Sequence, residues 1–195
     1  MIIVLTGVPG TGKTAIAQLL AKSLKPKHQL VSLNDLVKKH KLYSAIDPSD
    51  NSKIVHLPGL KSAINTMTVT VTNMLIEGHL ACEFCIPEAD LVLVLRTNPN
   101  ELRERLGKRK YPKHKLNENV MAEALDYCLL LSQKNYPEKI VFELDTTGKS
   151  AVQSAKEAQK LITAKKKPKK KFVNWSEQLF SLTVPLQLHK KENKK

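Results

Sequence analysis

Residues Gly7-Val8-Pro9-Gly10-Thr11-Gly12-Lys13-Thr14 meet every position of the G-x-x-x-x-G-K-[ST] phosphate loop. Glycines at these positions let the backbone curl so that successive N–H groups face phosphate oxygens, and the helix N-terminus that follows adds partial positive charge. Lys13 would then reach the β- and γ-phosphates of a nucleoside triphosphate, and the Thr14 hydroxyl would ligate Mg²⁺. The competing reading is a glycine-rich strand–helix turn that holds no ligand. A second chemical signal is Met74-Leu75-Ile76-Glu77-Gly78-His79, an apolar run that ends in an acid. In an open α/β sheet, ligands sit beyond the carboxyl ends of the strands, so Glu77 and His79 would project toward the phosphate loop. A carboxylate there can hold Mg²⁺ directly or through water. His79 either caps the strand by a hydrogen bond or orients the attacking group near the γ-phosphate.

A third signal is a dense cationic block. Arg103, Arg105, Lys108, Arg109, Lys110, Lys113 and Lys115 face one acid, Glu104, over thirteen residues. Such a block repels itself unless it is solvated or meets an anion. It reads either as a solvated helix face or as a mobile lid whose arginines close on a triphosphate and neutralise charge developing in phosphoryl transfer. Asp145-Thr146-Thr147-Gly148-Lys149 would lie at the ligand edge of the sheet, in reach of an adenine or ribose. Cys82-Glu83-Phe84-Cys85 has C-x-x-C spacing, but only Cys128 remains and no second pair completes a zinc site. Packing thiols beside the site are the simpler reading, against a redox or metal role.

The elements that must carry these residues follow from periodicity. Met1 to Leu5 is a short apolar run that predicts a buried parallel strand. Ile16, Leu19, Leu20 and Leu24 share one helical face after Lys13. Gln29 to Leu33 predicts a second strand, and Asn34 and Asp35 are capping candidates for a helix from Leu36 to about Leu42. Ser44 to Lys53, with Asp47, Pro48, Ser49, Asp50 and Asn51, predicts a loop. Helical spacing of Leu60, Ile64 and Met67 competes with β-branched alternation over Thr66 to Thr72, and both readings stay open. Leu91 to Leu95 predicts a strand ending in Arg96, and a helix follows from Pro99 with Leu102 and Leu106 inward. A long helix over Asn117 to Ser132, a strand over Ile140 to Leu144 and a helix over Val152 to Ile162 complete the pattern. Strands alternating with helices predict a parallel sheet covered on both faces.

The chain has 195 residues, 42% of them apolar, enough for one domain of ordinary size plus an extension. Sparse, odd-numbered cysteines suit a reducing compartment, and neither a leader pattern nor an apolar run of membrane-spanning length occurs. These features predict a cytoplasmic protein that does not cross a membrane. Charge is uneven: residues 150–195 carry 12 Lys and 3 Glu, so +9 of the formal +14 lies there.

Taken together, the residues resemble the adenylate kinase isoenzyme 6-like NTPases of small-ribosomal-subunit maturation, in their archaeal-type branch. The resemblance covers about residues 1–163. It rests on Gly7 to Thr14, Ile76-Glu77-Gly78-His79-Leu80, Val94-Leu95-Arg96-Thr97, the Glu104-Arg105-Leu106 to Arg109 stretch with Tyr111, and Asp145-Thr146-Thr147-Gly148. It implies an α/β, three-layer P-loop NTPase fold with a central parallel sheet, a monophosphate-binding region over about Leu30 to Lys53 and a lid over about Lys108 to Glu118. It implies a broad-specificity nucleoside monophosphate kinase of the adenylate kinase type (ATP + AMP = 2 ADP) with ATPase activity, and a part in 16S-type rRNA processing through the small-subunit ribosomal protein of the S11 family. By position, Gly7, Gly10, Gly12, Lys13, Thr14 and Ala15 would line the ATP phosphates, with Arg109 on ATP and Lys149 near the base. Asp35 and Lys38 would serve the monophosphate, Thr14 and Glu77 the Mg²⁺, and Lys13, Glu77, His79 and Arg109 the catalysis. The chain departs from its eukaryotic relatives at Glu77, where they have aspartate, and at Lys38, where they have arginine. It also departs at Leu57-Pro58-Gly59-Leu60, which lacks their acidic cluster. A lysine cannot make a bidentate fork to phosphate, so Lys38 weakens the monophosphate reading more than the ATP reading.

Residues 164–171 (AKKKPKKK) form a lysine-rich linker, either a solvated spacer or a nonspecific, salt-dependent contact to rRNA. Residues 172–195 form an extension in which Phe172, Trp175, Leu179, Phe180 and Leu182 sit near helical spacing before Pro185, a cluster expected to dock on the domain or on a partner. Three functions are thus weighed: a kinase, an ATPase switch in ribosome assembly with incidental kinase activity, and a generic small-metabolite kinase, against which Glu77-Gly78-His79 argues.

Overall fold

The computed structural model describes residues 1–48, 52–109, 111–165, 169 and 172–183. Five strands, β1 (Ile2–Thr6), β2 (Gln29–Ser32), β5 (Met74–Glu77), β6 (Ala89–Arg96) and β7 (Val141–Asp145), form one parallel sheet in the order β2-β5-β1-β6-β7. Its strands are apolar on both sides because both faces are covered. Alternate residues feed two cores. Ile3, Leu5, Leu75, Leu93 and Leu95 pack under α1 (Lys13–Ser23) and α7 (Ala151–Thr163). Val4, Met74, Ile76, Val92 and Val94 pack under α2 (Leu33–Lys39), α3 (Leu57–Thr70), α4 (Pro99–Lys108), α5 (Lys113–Ala124) and α6 (Tyr127–Asn135). The expected α/β three-layer architecture is therefore the observed one.

This strand order places the chemistry. β1 is central, and the chain builds β2 and β5 on one side of it before crossing to β6 and β7 on the other, so the strand order reverses at β1. That switch point opens a crevice for ligands. All five strands run parallel, so the loop after β1, Glu77 of β5, Thr97 after β6 and Thr146 after β7 share this edge.

Several local expectations are corrected. Ser32 caps α2, accepting a hydrogen bond from the Asp35 amide at 3.4 Å, so the helix starts at Leu33 and neither Asn34 nor Asp35 is its cap. The predicted loop over Ser44 to Lys53 contains antiparallel strands β3 (Tyr43–Ile46) and β4 (Lys53–Val55); Ser49, Asp50 and Asn51 lie outside the described residues. α3 continues to Thr70, because burial of Leu60, Ile64 and Thr68 on one face outweighs the β-branched preference of its last turn. The long helix predicted over Asn117 to Ser132 is two helices, α5 and α6, broken where Asp126 takes a left-handed conformation (φ 57°). α7 begins with a reciprocal cap between Ser150 and Gln153.

In the extension, a short helix α8 (Ser176–Thr183) packs against α5, and Trp175 is buried. The indole Nε1 donates to Glu123 Oε1 at 3.0 Å, whereas Phe172 and Phe180 remain exposed. Most of the lysine-rich run, and Pro185, lie outside the described residues. Among the described residues, no helix is long and apolar enough to cross a membrane.

Candidate active site

The loop between β1 and α1 is shaped by contacts that exclude side chains. A Cβ on Gly7 (φ 136°) would lie 2.5 Å from the Leu95 carbonyl oxygen, and one on Gly10 (φ 97°) 2.6 Å from Leu102 Cδ1. Glycine is thus required twice over, by backbone conformation and by close approach. The Thr11 hydroxyl donates to the Val8 carbonyl at 3.0 Å and Gly12 caps α1 in the left-handed region, which fixes the curl. Lys13 folds back, its Nζ 2.8 Å from Gly7 O and 3.0 Å from Val8 O. Burial lowers its pKa from the ordinary lysine value, and the nearby Glu77 partly opposes that. An arriving phosphate would supply the missing countercharge.

Glu77 ends β5 almost fully buried, and the Thr14 hydroxyl lies 3.4 Å from each of its carboxylate oxygens. A hydroxyl and a carboxylate converging from different elements are hard oxygen donors of the kind Mg²⁺ takes alongside retained waters. The residues present therefore fit the ion. Gly78 follows where a Cβ would meet Leu33 at 2.8 Å, and the main chain then turns through a 3₁₀ segment, His79–Cys82. The Thr6 hydroxyl and the Cys82 thiol both donate to the His79 carbonyl, at 3.1 and 3.0 Å, and fix the main chain there. Cys82 and Cys128 are buried packing thiols, and no group of metal-ligating His, Cys, Asp and Glu is found among the described residues.

Burial, reinforced by Lys13 and Lys115, lowers the His79 imidazole from 6.5 to about 4. The ring is neutral at physiological pH and can accept or orient a proton. In the nucleotide-free protein, NMR titration should place its midpoint near 4; a midpoint near 6.5 would contradict the packing described. The unfolded chain binds this proton more readily, so stability is full above pH 6.5 and falls as pH drops toward 4.

Three cavities adjoin. A pocket of about 250 Å³ over the loop is lined by Gly10, Gly12, Lys13, Thr14, Ala15, Glu77 and His79, with Asn34, Arg109 and Tyr111. It shares Gly10, Gly12, Ala15 and Arg109 with a cavity of about 890 Å³ that runs past Asn98, Arg105, Thr146, Thr147 and Lys149. On its other side it shares Pro9, Asn34, His79 and Tyr111 with a cavity of about 690 Å³, bounded by Lys38, Lys53, Glu83, Lys115 and Glu118. The phosphate loop thus sits between two chambers of nucleotide size.

The structure brings Gly10, Gly12, Lys13, Thr14, Ala15, Glu77, His79 and Arg109 to the central pocket, with Gly7 beneath the loop supporting its curl. Lys149 reaches the larger chamber, held by Asp145 O at 2.9 Å and Glu157 at 2.8 Å. Lys38 borders the smaller one. Asp35 does not border it: it is exposed on α2, and its neighbour Asn34 lines the chamber instead. The expected lid is short, because α5 begins at Lys113, and Lys110 lies outside the described residues.

Arg105 was legible as one cation in a run and as part of the stretch that carries the resemblance, with no partner assigned to it. It pairs with Glu101 at 2.6 Å, donates to Thr146 O at 2.9 Å and reaches Gly10 O at 3.5 Å, which ties the wall of the larger chamber to the phosphate loop. Ser154, a buried lining residue of that chamber, leaves its hydroxyl without a hydrogen-bond partner among the described residues. No spacing rule would have marked either residue.

A family model described as an AAA domain matches residues 3–126. Proteins named "putative adenylate kinase" align over most of the chain. The one from Methanosarcina acetivorans is 38% identical over 83% of this chain and 86% of its own length. The one from Methanocaldococcus jannaschii is 34% identical over 92% and 96%, and the one from Thermococcus kodakarensis 37% over 91% and 94%. Among solved structures, a thymidylate kinase from Candida albicans superposes with a TM-score of 0.54 at 15% identity, covering 83% of this chain and 90% of that one. That likeness shows the shared fold.

Proposed function

The chain belongs to the archaeal P-loop family whose members bear the adenylate kinase name, and from that premise we propose that it transfers the γ-phosphoryl group of Mg-ATP to a nucleoside monophosphate, with AMP as the first acceptor to test. One observation carries the reading: a complete phosphate loop lies between two chambers that share its lining residues. A hydrolase needs only one such chamber; a phosphotransferase needs a donor side and an acceptor side.

In this account the larger chamber takes the ATP base and ribose beside Thr146, Thr147 and Lys149. Arg105 braces that wall, and Arg109, at the junction with the central pocket, meets the triphosphate. Lys13 leaves its loop carbonyls for the β- and γ-phosphates, and the backbone amides of the loop hold the remaining oxygens. Mg²⁺, held by Thr14 with Glu77 directly or through water, would neutralise charge shared by the β- and γ-phosphates. The neutral His79 orients the acceptor phosphate, and Lys38 and Lys53 supply positive charge in the smaller chamber. In transfer, the bond from the γ-phosphorus to the β,γ-bridging oxygen breaks and one to the acceptor phosphate oxygen forms, so ATP and AMP give two ADP. Rate comes mainly from positioning and electrostatics.

The finer proposals are an accompanying ATPase activity, a cytoplasmic location and a part in small-subunit rRNA maturation. In that part the S11-type ribosomal protein would be the partner and the lysine-rich run would touch rRNA. The +9 charge of residues 150–195 supports the RNA contact, and lysine rather than arginine at position 38 supports a weaker acceptor site. Domain organisation is proposed accordingly: residues 1–163 as the catalytic unit, 164–171 as linker and 172–195 as extension.

The test is ADP formation from ATP with and without AMP. Strong stimulation by AMP supports the kinase. Little effect of AMP, with stimulation by the S11-type protein or rRNA, overturns it in favour of an ATPase switch.

A further inference from the structure

Arg96, at the end of β6, is fully buried and faces three carboxylates. Its Nε lies 2.9 Å from Glu123 and its Nη1 2.5 Å from Glu143, and Nη2 pairs with Asp126. Burial alone would lower the guanidinium pKa, but Glu123 and Asp126 outweigh it and hold the group cationic. The extension enters this cluster at two points. The Val173 amide donates to Glu143, and the Trp175 indole donates to the same Glu123 oxygen that accepts from Arg96, with its ring 6.0 Å from the guanidinium. That oxygen also accepts from the Thr97 amide at 3.0 Å.

From Thr97 the hydrogen bonds run on to the nucleotide chamber. Its hydroxyl meets the Thr146 hydroxyl at 2.7 Å, and Thr146 Oγ1 lies 3.4 Å from Thr11 O in the phosphate loop. Arg105 then joins Thr146 O to Gly10 O. A group outside the phosphate-loop domain is thus tied to its donor side through one carboxylate and two threonines. The smaller chamber shares none of these residues.

We infer that Trp175 is a positioning residue for the donor nucleotide: its seat on Glu123 holds Thr97, and through Thr97 the Thr146–Arg105 wall, in the geometry that binds ATP. The inference rests on the assignment of the larger chamber to ATP. It extends that assignment by giving the extension control over donor affinity along a route, Glu123 to Thr97 to Thr146, that passes through no residue lining the acceptor chamber. Coupling between sites is reciprocal, so ATP must in turn secure the seat.

The experiment uses the full chain and a non-hydrolysable ATP analogue with Mg²⁺. Affinity is measured by titration calorimetry, so it does not depend on turnover. Trp175→Ala should weaken analogue binding by about fivefold or more, the lower range of such couplings, while AMP binding stays within about twofold. In the wild type, saturating analogue should slow amide exchange over residues 172–176 by a similar factor, and AMP should not. Trp175→Phe keeps a ring and loses the donor, and tests the same link if the alanine variant does not fold. Selective loss of ATP affinity in either variant, with the exchange effect, supports the inference. Analogue affinity within about twofold of wild type in both variants overturns it, as does unchanged exchange at saturation. Failure of the kinase reading would appear differently: the analogue would bind and no phosphoryl group would reach a monophosphate.

Discussion

Lys13→Ala should lower turnover by about 10³-fold or more, on the scale of deleting a preorganised electrostatic group, and leave the fold intact. Among the described residues, the Lys13 ammonium of the nucleotide-free protein bonds only to carbonyls of its own loop, Gly7 and Val8, so folding does not depend on a described partner elsewhere. The glycines that shape the loop stay in place, held by the fit of Gly7 against Leu95 and of Gly10 against Leu102. What disappears is a cation seated on the loop itself and placed to reach the β- and γ-phosphates. Steady-state kinetics with far-UV circular dichroism would check this, with the loss falling on kcat more than on KM. Turnover within tenfold of wild type would remove the phosphate loop from the mechanism.

The second large effect concerns stability. Arg96→Met should lower unfolding free energy by about 3–5 kcal/mol, the usual cost of leaving buried charge without its partner. Glu123 and Glu143 side chains are 2% and 4% exposed, so neither can recover solvation in place. Asp126, at 38%, can, and contributes less. Against a total stability of about 5–15 kcal/mol for an ordinary domain, that is at least about a fifth of what holds the chain folded. Arg96→Lys should rescue only part of the loss, because one ammonium cannot span acceptors on three sides. Urea denaturation would measure both variants; a loss under about 1 kcal/mol for Arg96→Met would mean the carboxylates find other partners.

These two residues also mark what could be read from the sequence. Lys13 was legible because its chemistry is local: eight consecutive residues carry the loop, and the flanking apolar run and helical face fix its setting. Glu77 and His79 were legible for the same reason, as the end of one strand. Arg96 was visible as the residue closing an apolar run and within a family motif, but its role was not, since its partners lie 27, 30 and 47 positions away. Asp126 illustrates the difficulty. Its left-handed backbone breaks what reads as one helix, and that break lets its carboxylate meet Arg96. The apolar pattern across Asn117 to Ser132 carries no trace of either event. At α2, the Ser32 cap was missed because Asn34 and Asp35, equally good capping types, stand next to it. Trp175 stood out as an apolar residue needing cover, but its indole donor, which selects Glu123, has no sequence pattern.

If the phosphoryl group passes from one chamber to the other across Lys13, its path can be followed with label from γ-³²P-ATP in the presence of AMP and Mg²⁺. Label should accumulate in the β-phosphate of ADP; label recovered only as inorganic phosphate, with AMP unchanged, would mean hydrolysis in place of transfer.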